Sequence, residues 1–318
     1  MDIIDEILLK EEFKNAPPVL IDIGASGELH SKWKKIAKYS ICIAFDADNR
    51  EMAFAEKETN TFKKLIVFSR VVTDQDNKEI DFYLTKSPFC SSSLEPDTEQ
   101  LRDWSFRELF QVEKKIKLKA IRITEALQEA KISLVDWFKT DTQGTDLRLF
   151  QSLPESIREK VIIAEFEPGI IDGYKGEDKL YDTISYMHKY GFYMSNMEVK
   201  GVQRINPNYL NDFSGIHKKA LQKCLKKSPG WAEVTYMNRL KTGTHDKRTY
   251  LLSYVFALIE KQFGFAIEIA NQGFLITNDG YFNELKNYAI KKIKNNNYKW
   301  PLIMTQKAIN KILTKINA

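Results

Sequence analysis

An acid, an amide and a glycine follow directly on an apolar strand pattern in the middle of the chain. The segment LVDWFKT leads into Asp141, Gln143 and Gly144, and a helical pattern begins at once. A positioned carboxylate can take a proton from a hydroxyl, and an amide can hold that hydroxyl by hydrogen bonds. The alternative is structural, because aspartate is also a preferred residue at a helix N-terminus. For Asp146 the helix-start interpretation is favoured.

A second carboxylate, Glu165, comes near the end of the next apolar run, VIIAEF. The carboxyl ends of neighbouring parallel strands meet at one edge of a sheet, so Asp141 and Glu165 are predicted to lie one strand apart. Two carboxylates there could share a base role or hold a divalent metal that binds a substrate hydroxyl. Both are candidate catalytic residues. The metal is the less favoured hypothesis, because the sequence offers no obvious third ligand.

The first strand pattern, PPVLIDIG, leads into a pair of glycines. Gly24 and Gly27 allow a tight turn and the close approach of a ligand, and the second strand ends at Asp46, which is placed to bind the hydroxyls of a ribose. A pyrophosphate is disfavoured, because Glu28 puts an acid beside the start of the following helix. A ligand with a ribose and no phosphates fits better, and S-adenosylmethionine is one. The alternative is a plain tight turn.

Strands and helices alternate up to about residue 205, which predicts a largely parallel sheet with helices on both faces. The predicted strands are PPVLIDIGAS, ICIAFDAD, KKLIVFSRVVTD, the antiparallel KEIDFYLTK, KIKLKAIRI, LVDWFKTD, KVIIAEFEP, FYMSNMEVKGVQRI and the returning WAEVTYMNRL. The predicted helices are HSKWKKIAKY, NREMAFAEK, EALQEAK with Thr124 as its cap, TDLRLFQSL and DKLYDTISYMHKYG. Segment 87–113 interrupts this order with serines and with Trp104, Phe106 and Phe110. These aromatic residues could cover a pocket or pack in the core.

The pattern divides the chain into three parts. Residues 1–16 are predicted to form an N-terminal helix, residues 17–241 a Rossmann-like domain with an inserted helix at about 207–228, and residues 242–318 a basic helical extension. Segment 249–259 is apolar almost all round, which predicts burial or an interface. Phe282, Leu285, Ala289 and Ile293 recur at helical spacing and predict one apolar face of a later helix.

Composition narrows the class of protein. Of the 318 residues 43% are apolar, which is enough for a sizeable core, and the longest apolar run is too short to span a bilayer. The acidic N-terminal segment does not resemble a signal peptide. Cys42, Cys90 and Cys224 are odd in number and widely spaced, which suits a reducing cytoplasm rather than a disulfide framework.

The net charge of +5 is unevenly distributed, because the basic excess lies after Pro207 and the part before it is net negative. A solvated lysine surface is the simpler interpretation. The alternative is an anionic partner such as nucleic acid, a glycan or lipid headgroups, with the basic tail at the inner face of a membrane. A cytoplasmic location is expected in either case, and a homo-oligomer stays open.

The segment KTDTQGTDLRLF closely resembles the strand–turn–helix motif of FkbM-type methyltransferases, Lys-x-Asp-x-Glu/Gln-Gly-x-Glu/Asp. The matching positions are Lys139, Asp141, Gln143, Gly144 and Asp146. IDIGASG is similar to the first glycine motif of the family, AFDAD to its second-strand acid, SSSL to a serine-containing loop, and VIIAEFEPG to its next strand. The resemblance runs from about residue 17 to residue 193 and extends to the late strand at 231–240. The second glycine comes one place earlier than in the commoner form, and an acid follows it where small residues are usual.

The resemblance implies a class I, doubly wound methyltransferase sheet and methyl transfer from S-adenosylmethionine. It implies a hydroxyl acceptor on a saccharide or natural product, as in polysaccharide modification. The residues expected to bind the methyl donor are Asp22, Gly24, Ala25, Gly27, Asp46, Asp74 and Thr140. Those expected to bind the acceptor are Gln143, Ser92 and Ser93, beside the catalytic candidates Asp141 and Glu165.

Two other functions stay open. A ribose methyltransferase acting on RNA would use the basic C-terminal part, but such enzymes usually bring a lysine to the centre, and Lys139 alternates to the face of the strand opposite Thr140. A non-catalytic domain that binds the donor weakly would leave the helical tail to oligomerise or anchor the protein. The altered glycine motif is its one support. Nucleic acid is therefore the less favoured partner.

Overall fold

Short apolar strands lie side by side in a central sheet, and three further strands form a smaller sheet. The computed structural model describes residues 2–24, 30–45, 61–217, 224–241, 245–296 and 304–307. The strands are β1 (Val19–Ile23), β2 (Ile41–Phe45), β3 (Lys64–Phe68), β4 (Val71–Thr73), β5 (Glu79–Thr85), β6 (Val112–Arg122), β7 (Trp137–Thr140), β8 (Ile163–Phe166), β9 (Phe192–Val202) and β10 (Ser228–Asn238). The α-helices are α1 (Ile3–Leu8), α2 (Glu11–Asn15), α3 (Ile123–Ala130), α4 (Asp146–Gln151), α5 (Glu155–Arg158), α6 (Leu180–Lys189), α7 (Lys247–Ile259), α8 (Phe263–Thr277) and α9 (Tyr281–Asn296).

The central sheet has seven strands in the order β3-β2-β1-β7-β8-β10-β9. The first five are parallel to their neighbours, and β10 runs antiparallel to both β8 and β9. The order reverses between β1 and β7, and ligands bind at such a switch point, outside the carboxyl ends of the strands. The sheet confirms the predicted Rossmann-like methyltransferase fold with a late strand that returns to it.

Burial on both faces explains why the central strands read as apolar runs. Every residue of β1 and of β8 is buried, as expected for parallel strands covered by helices. Phe138 of β7 packs edge-on against Phe150 of α4, with ring centroids 5.3 Å apart. Leu127 of α3 and Met187 of α6 belong to the same core cluster. This core fixes the positions of β1, β7 and β8, and thereby the positions of the residues that follow their carboxyl ends.

The smaller sheet has the order β4-β6-β5. β5 is antiparallel to β6, which confirms the prediction for KEIDFYLTK. The prediction of one strand over KKLIVFSRVVTD is wrong, because the chain leaves the central sheet after β3 and residues Val71–Thr73 pair with β6 instead. The same short connection carries Arg70, whose guanidinium stacks over Phe68.

Three of the predicted helices differ from the prediction or lie outside the described residues. HSKWKKIAKY forms two 3-10 turns, Ser31–Lys35 and Ala37–Tyr39, instead of an α-helix; Trp33 is fully buried at the first of them. The cap of α3 is Arg122, not Thr124, because Glu125 reaches back to accept from the Arg122 amide at 3.3 Å. NREMAFAEK lies outside the described residues, as do residues 218–223 of the insertion at 207–228, which begins with a 3-10 helix, Pro207–Asp212.

Residues 1–12 and 245–318 form one compact unit, and residues 13–244 form another. In the helical unit α7 is buried almost all round, as its sequence predicts, and Tyr254 donates to the Leu285 carbonyl at 2.7 Å. Phe282, Leu285 and Ala289 of α9 are buried as predicted, whereas Ile293, at the end of the same stripe, is exposed. None of the helices in the described part of the chain is long and apolar enough to cross a membrane.

Candidate active site

A cavity of about 510 Å³ opens at the carboxyl ends of β1, β2 and β7. Its volume falls in the range of small-molecule sites. One end is lined by strand termini, including Ile23, Gly24 and Phe45, and the other by aromatic residues, including Phe106 and Trp231. The polar residues between the two ends include Asp141, Gln143, Glu167 and Ser93. The cavity therefore lies at the switch point of the sheet, where the fold places ligands.

Asp141 and Gln143 lie in the tight turn that leaves β7. The side-chain amide Nε2 of Gln143 donates to Asp141 Oδ1 at 2.7 Å. Gln143 has a φ of +58°, a conformation that costs a residue with a side chain about 1 kcal/mol, and Gly144 follows with a φ of +111°. Tyr174 donates to the Cys90 carbonyl at 2.9 Å and lies 3.3 Å from Gln143 Oε1. The turn thus holds the Asp141 carboxylate in one orientation at the cavity wall.

Glu167, a residue that the sequence did not single out, lies beside Asp141. The Glu167 and Asp141 side chains are hydrogen bonded, and both line the cavity. Burial, and then the charges of Asp141 and Asp146, raise the pKa of Glu167 well above its usual range. Two adjacent carboxyl groups in a buried site cannot both ionise cheaply, so Glu167 holds a proton at neutral pH and donates it to Asp141.

The register of the sheet explains why these two carboxyl groups meet. Lys139 of β7 pairs with Glu165 of β8. Two residues further along each strand are Asp141 and Glu167, each the first residue after its strand. A signal was present in the sequence, since KTD and EFE end two adjacent strands in the same way, but finding it requires the register.

The Asp146 side chain links the turn after β7 to the end of β8 by hydrogen bonds. Its Oδ1 accepts from the Thr140 hydroxyl at 2.9 Å and from the Thr142 amide at 2.9 Å, and its Oδ2 accepts from the Glu167 amide at 2.7 Å. Burial and the charge of Asp141 raise the pKa of Asp146 to about 6. Asp146 lies in the first turn of α4, as expected, and its carboxylate also links the exits of β7 and β8.

Glu165 belongs to a row of charged side chains across the sheet. Lys139 donates to Asp22 Oδ1 at 2.7 Å, Lys32 donates to Glu165 Oε1 at 2.5 Å, and His30 Nε2 lies 2.9 Å from Glu165 Oε2. Although burial opposes ionisation, His30 and Lys32 lower the pKa of Glu165 to about 2. Glu165 is not among the residues that line the cavity. Its contacts are those of an ion-pair residue, and its catalytic role stays a sequence prediction.

Of the four predicted donor-binding residues that the structure describes, one lines the cavity and three do not. Gly24 lines the cavity with a φ of +82°, and a Cβ there would lie 2.1 Å from the Asp141 carbonyl oxygen, so a glycine is required. Asp22 and Thr140 are buried in the contacts given above and do not line the cavity, and Asp74 is exposed after β4. Ala25, Gly27 and Asp46 lie outside the described residues.

The two serines predicted to bind the acceptor, Ser92 and Ser93, lie in different environments. Ser93 lines the cavity. Ser92 is buried and donates to the Gln143 carbonyl at 2.8 Å, so it holds the turn after β7. In the aromatic segment, Phe106 and Phe110 line the cavity, and Phe110 also belongs with Trp104 to a small core cluster, so the segment both lines the cavity and packs in a core.

Metal ligands are not gathered in the described part of the chain, which contains no group of three or more His, Cys, Asp or Glu side chains arranged to hold an ion. Asp141 is bound to Gln143 and Glu167, whereas Glu165 is bound to Lys32. The two carboxylates predicted to share a metal therefore have separate sets of partners.

Comparison with known proteins agrees with the motif around Asp141. Residues 40–194 match the family model described as "Methyltransferase FkbM domain". A solved structure described as "Structure of an Antibiotic Related Methyltransferase" aligns over 73% of this chain and 92% of its own, with 11% identity and a TM-score of 0.24, which is too low to support any argument. No curated protein matches the chain significantly. The family match confirms the resemblance seen in the sequence over residues 40–194, which match the FkbM methyltransferase domain.

Proposed function

We propose that the protein is an S-adenosylmethionine-dependent O-methyltransferase that methylates a hydroxyl of a saccharide or a related acceptor. One observation carries the proposal: the hydrogen-bonded pair Asp141–Glu167 lines a cavity at the switch point of an FkbM methyltransferase sheet. A carboxylate at that place supports transfer to oxygen, since a neutral hydroxyl must lose its proton as it becomes an ether.

The residues at the strand-terminus end of the cavity fit the donor. Ile23, Gly24 and Phe45 line it, and Gly24 provides the tight turn that a donor loop needs at this point. Bound there, S-adenosylmethionine would supply a methyl group already activated on a sulfonium sulfur. The predicted ribose contact, Asp46, directly follows Phe45 in the sequence.

Asp141 is proposed as the group that takes the hydroxyl proton. It accepts hydrogen bonds from the side-chain amide of Gln143 and from the Glu167 carboxyl, which orient it toward the cavity. Gln143 and Ser93 are proposed to hold the acceptor. The aromatic walls exclude water from the pair and offer ring faces to a sugar.

The test is methyl transfer from S-adenosylmethionine labelled in its methyl group to a panel of sugars and glycosides. Asp141→Asn should lower turnover by about 100-fold or more, the usual contribution of a general base, while donor affinity is unchanged. Asp182→Asn, on the exposed side of α6, is the matched control and should retain full activity. Full turnover in Asp141→Asn would remove the proposed base.

A further inference from the structure

Among the described residues, the charged side chains that line the cavity and have no ion-pair partner are all acidic. Among the described residues that line it, Arg70 is the one cation, and its guanidinium is engaged by the carboxylate of Glu129. Glu177 also lines the cavity and is neutralised by Lys179 at 2.5 Å. Within the described residues no ion pair reaches Asp141 or Glu167, so the remaining charge on the wall is negative.

The aromatic wall also favours a cationic or uncharged ligand over an anionic one. The rings of Phe106 and Trp231 lie parallel, with centroids 6.2 Å apart and an interplanar angle of 7°. Phe110 meets Phe106 edge-on at 5.0 Å, and Tyr174 lies 5.5 Å from Phe110. Aromatic faces carry negative partial charge and attract cations and the C–H edges of sugar rings. They give an anionic group no compensation for the water that it loses on entering the cavity.

We propose that this cavity takes a hydroxyl acceptor that is uncharged or bears an amine near the reacting hydroxyl, and that it rejects acceptors with a carboxylate or phosphate there. The inference rests on the proposed function for the identity of the cavity as the acceptor site. Neutral sugars and amino sugars fit it, whereas uronic acids and sugar phosphates do not.

The protonation of the pair is consistent with this selectivity. Asp141 and Glu167 already share one proton because two negative charges cannot be held side by side in this buried wall. An anionic acceptor would add a further negative charge next to Asp141. An ammonium group would instead stabilise the ionised form of the pair.

A first experiment measures the potential in the cavity without any acceptor. A cysteine is introduced as Ser93→Cys in a Cys224→Ser background, and its reaction with cationic and anionic methanethiosulfonates is compared with that of 2-mercaptoethanol. Native Cys42 and Cys90 are buried, and the background protein alone corrects for them. The cation-to-anion rate ratio should exceed the reference by about 10-fold, and Asp141→Asn should reduce it. A ratio equal to or below the reference overturns the proposal. If Ser93→Cys does not fold, Ser87→Cys reports from the same cavity.

A second experiment tests the acceptor directly with glucose, glucosamine and glucuronate, together with the galactose- and mannose-configured equivalents of each. Transfer to the uronate should be at least about 100-fold less efficient than to the neutral or amino member, because like charges in contact cost several kcal/mol. Equal or better transfer to the uronate overturns the charge inference. Methylation of no sugar would count against the saccharide part of the proposed function, and the cysteine rates would then decide the charge inference separately.

Discussion

Replacing Glu165 by glutamine should destabilise the α/β unit by about 3 kcal/mol at neutral pH. Although burial opposes ionisation, His30 and Lys32 lower the pKa of Glu165 from 4.5 to about 2, and every tenfold change in proton affinity corresponds to about 1.4 kcal/mol. The side chain of Glu165 is 11% exposed, so solvent screens this interaction little. A glutamine keeps the shape of the side chain but cannot carry the charge that Lys32 binds.

The pH dependence of the effect gives it a second signature. A carboxyl whose pKa is lower in the folded state than in the unfolded state stabilises the fold above its unfolded pKa, 4.5 here, and that stabilisation is lost as the pH falls toward 2. The difference between the wild type and Glu165→Gln should therefore shrink by about 1 kcal/mol between about pH 7 and about pH 3.5.

Urea unfolding followed by circular dichroism at the two pH values measures both quantities. Glu198→Gln is the matched control, because Glu198 also binds a lysine but its side chain is 61% exposed. That change should cost less than about 0.5 kcal/mol. A difference for Glu165→Gln below about 1 kcal/mol at neutral pH, or one that does not shrink in acid, would refute the ion-pair interpretation.

Three further substitutions test the turn after β7. Gly24→Ala should destabilise the unit by more than about 2 kcal/mol in urea unfolding, because its Cβ would lie 2.1 Å from the Asp141 carbonyl oxygen; a wild-type midpoint would contradict the close approach. Asp146→Asn should cost about 1–3 kcal/mol by the same measurement, since one acceptor oxygen is lost in a buried site. Ser92→Ala removes the bond to the Gln143 carbonyl, and should lower turnover more than donor affinity; an effect on calorimetric donor affinity alone would argue against a role in holding the turn.

The order of the elements could be predicted because hydrophobic periodicity is local. The apolar runs that became β1, β7 and β8 and the amphipathic α6 were all evident in the sequence. The pairing of strands was less accessible. KKLIVFSRVVTD reads as one strand, and its division between two sheets depends on β6, about forty residues later in the chain. The turns at Ser31–Lys35 follow from the burial of Trp33, which is a tertiary effect.

Placement at the cavity could be predicted where one strand end was sufficient, and could not where two strand ends had to be compared. Asp141 and Gln143 stand out in a single turn and lie at the cavity. Glu165 lies within the apolar run VIIAEF and Glu167 directly after it, and which of the two lies beside Asp141 depends on the register of the folded sheet. Trp231 came from β10, far along the chain, and no local pattern connected it with the aromatic segment at Phe106.

Calorimetric titration of the purified chain with S-adenosylmethionine asks first whether the protein binds the proposed methyl donor, with S-adenosylhomocysteine as a second ligand and NAD as the control. We expect saturable binding of the first two at one site, no binding of NAD, and unchanged donor affinity in Asp141→Asn. Absence of binding of either adenosyl ligand to the wild type, or binding of NAD in their place, would contradict this expectation.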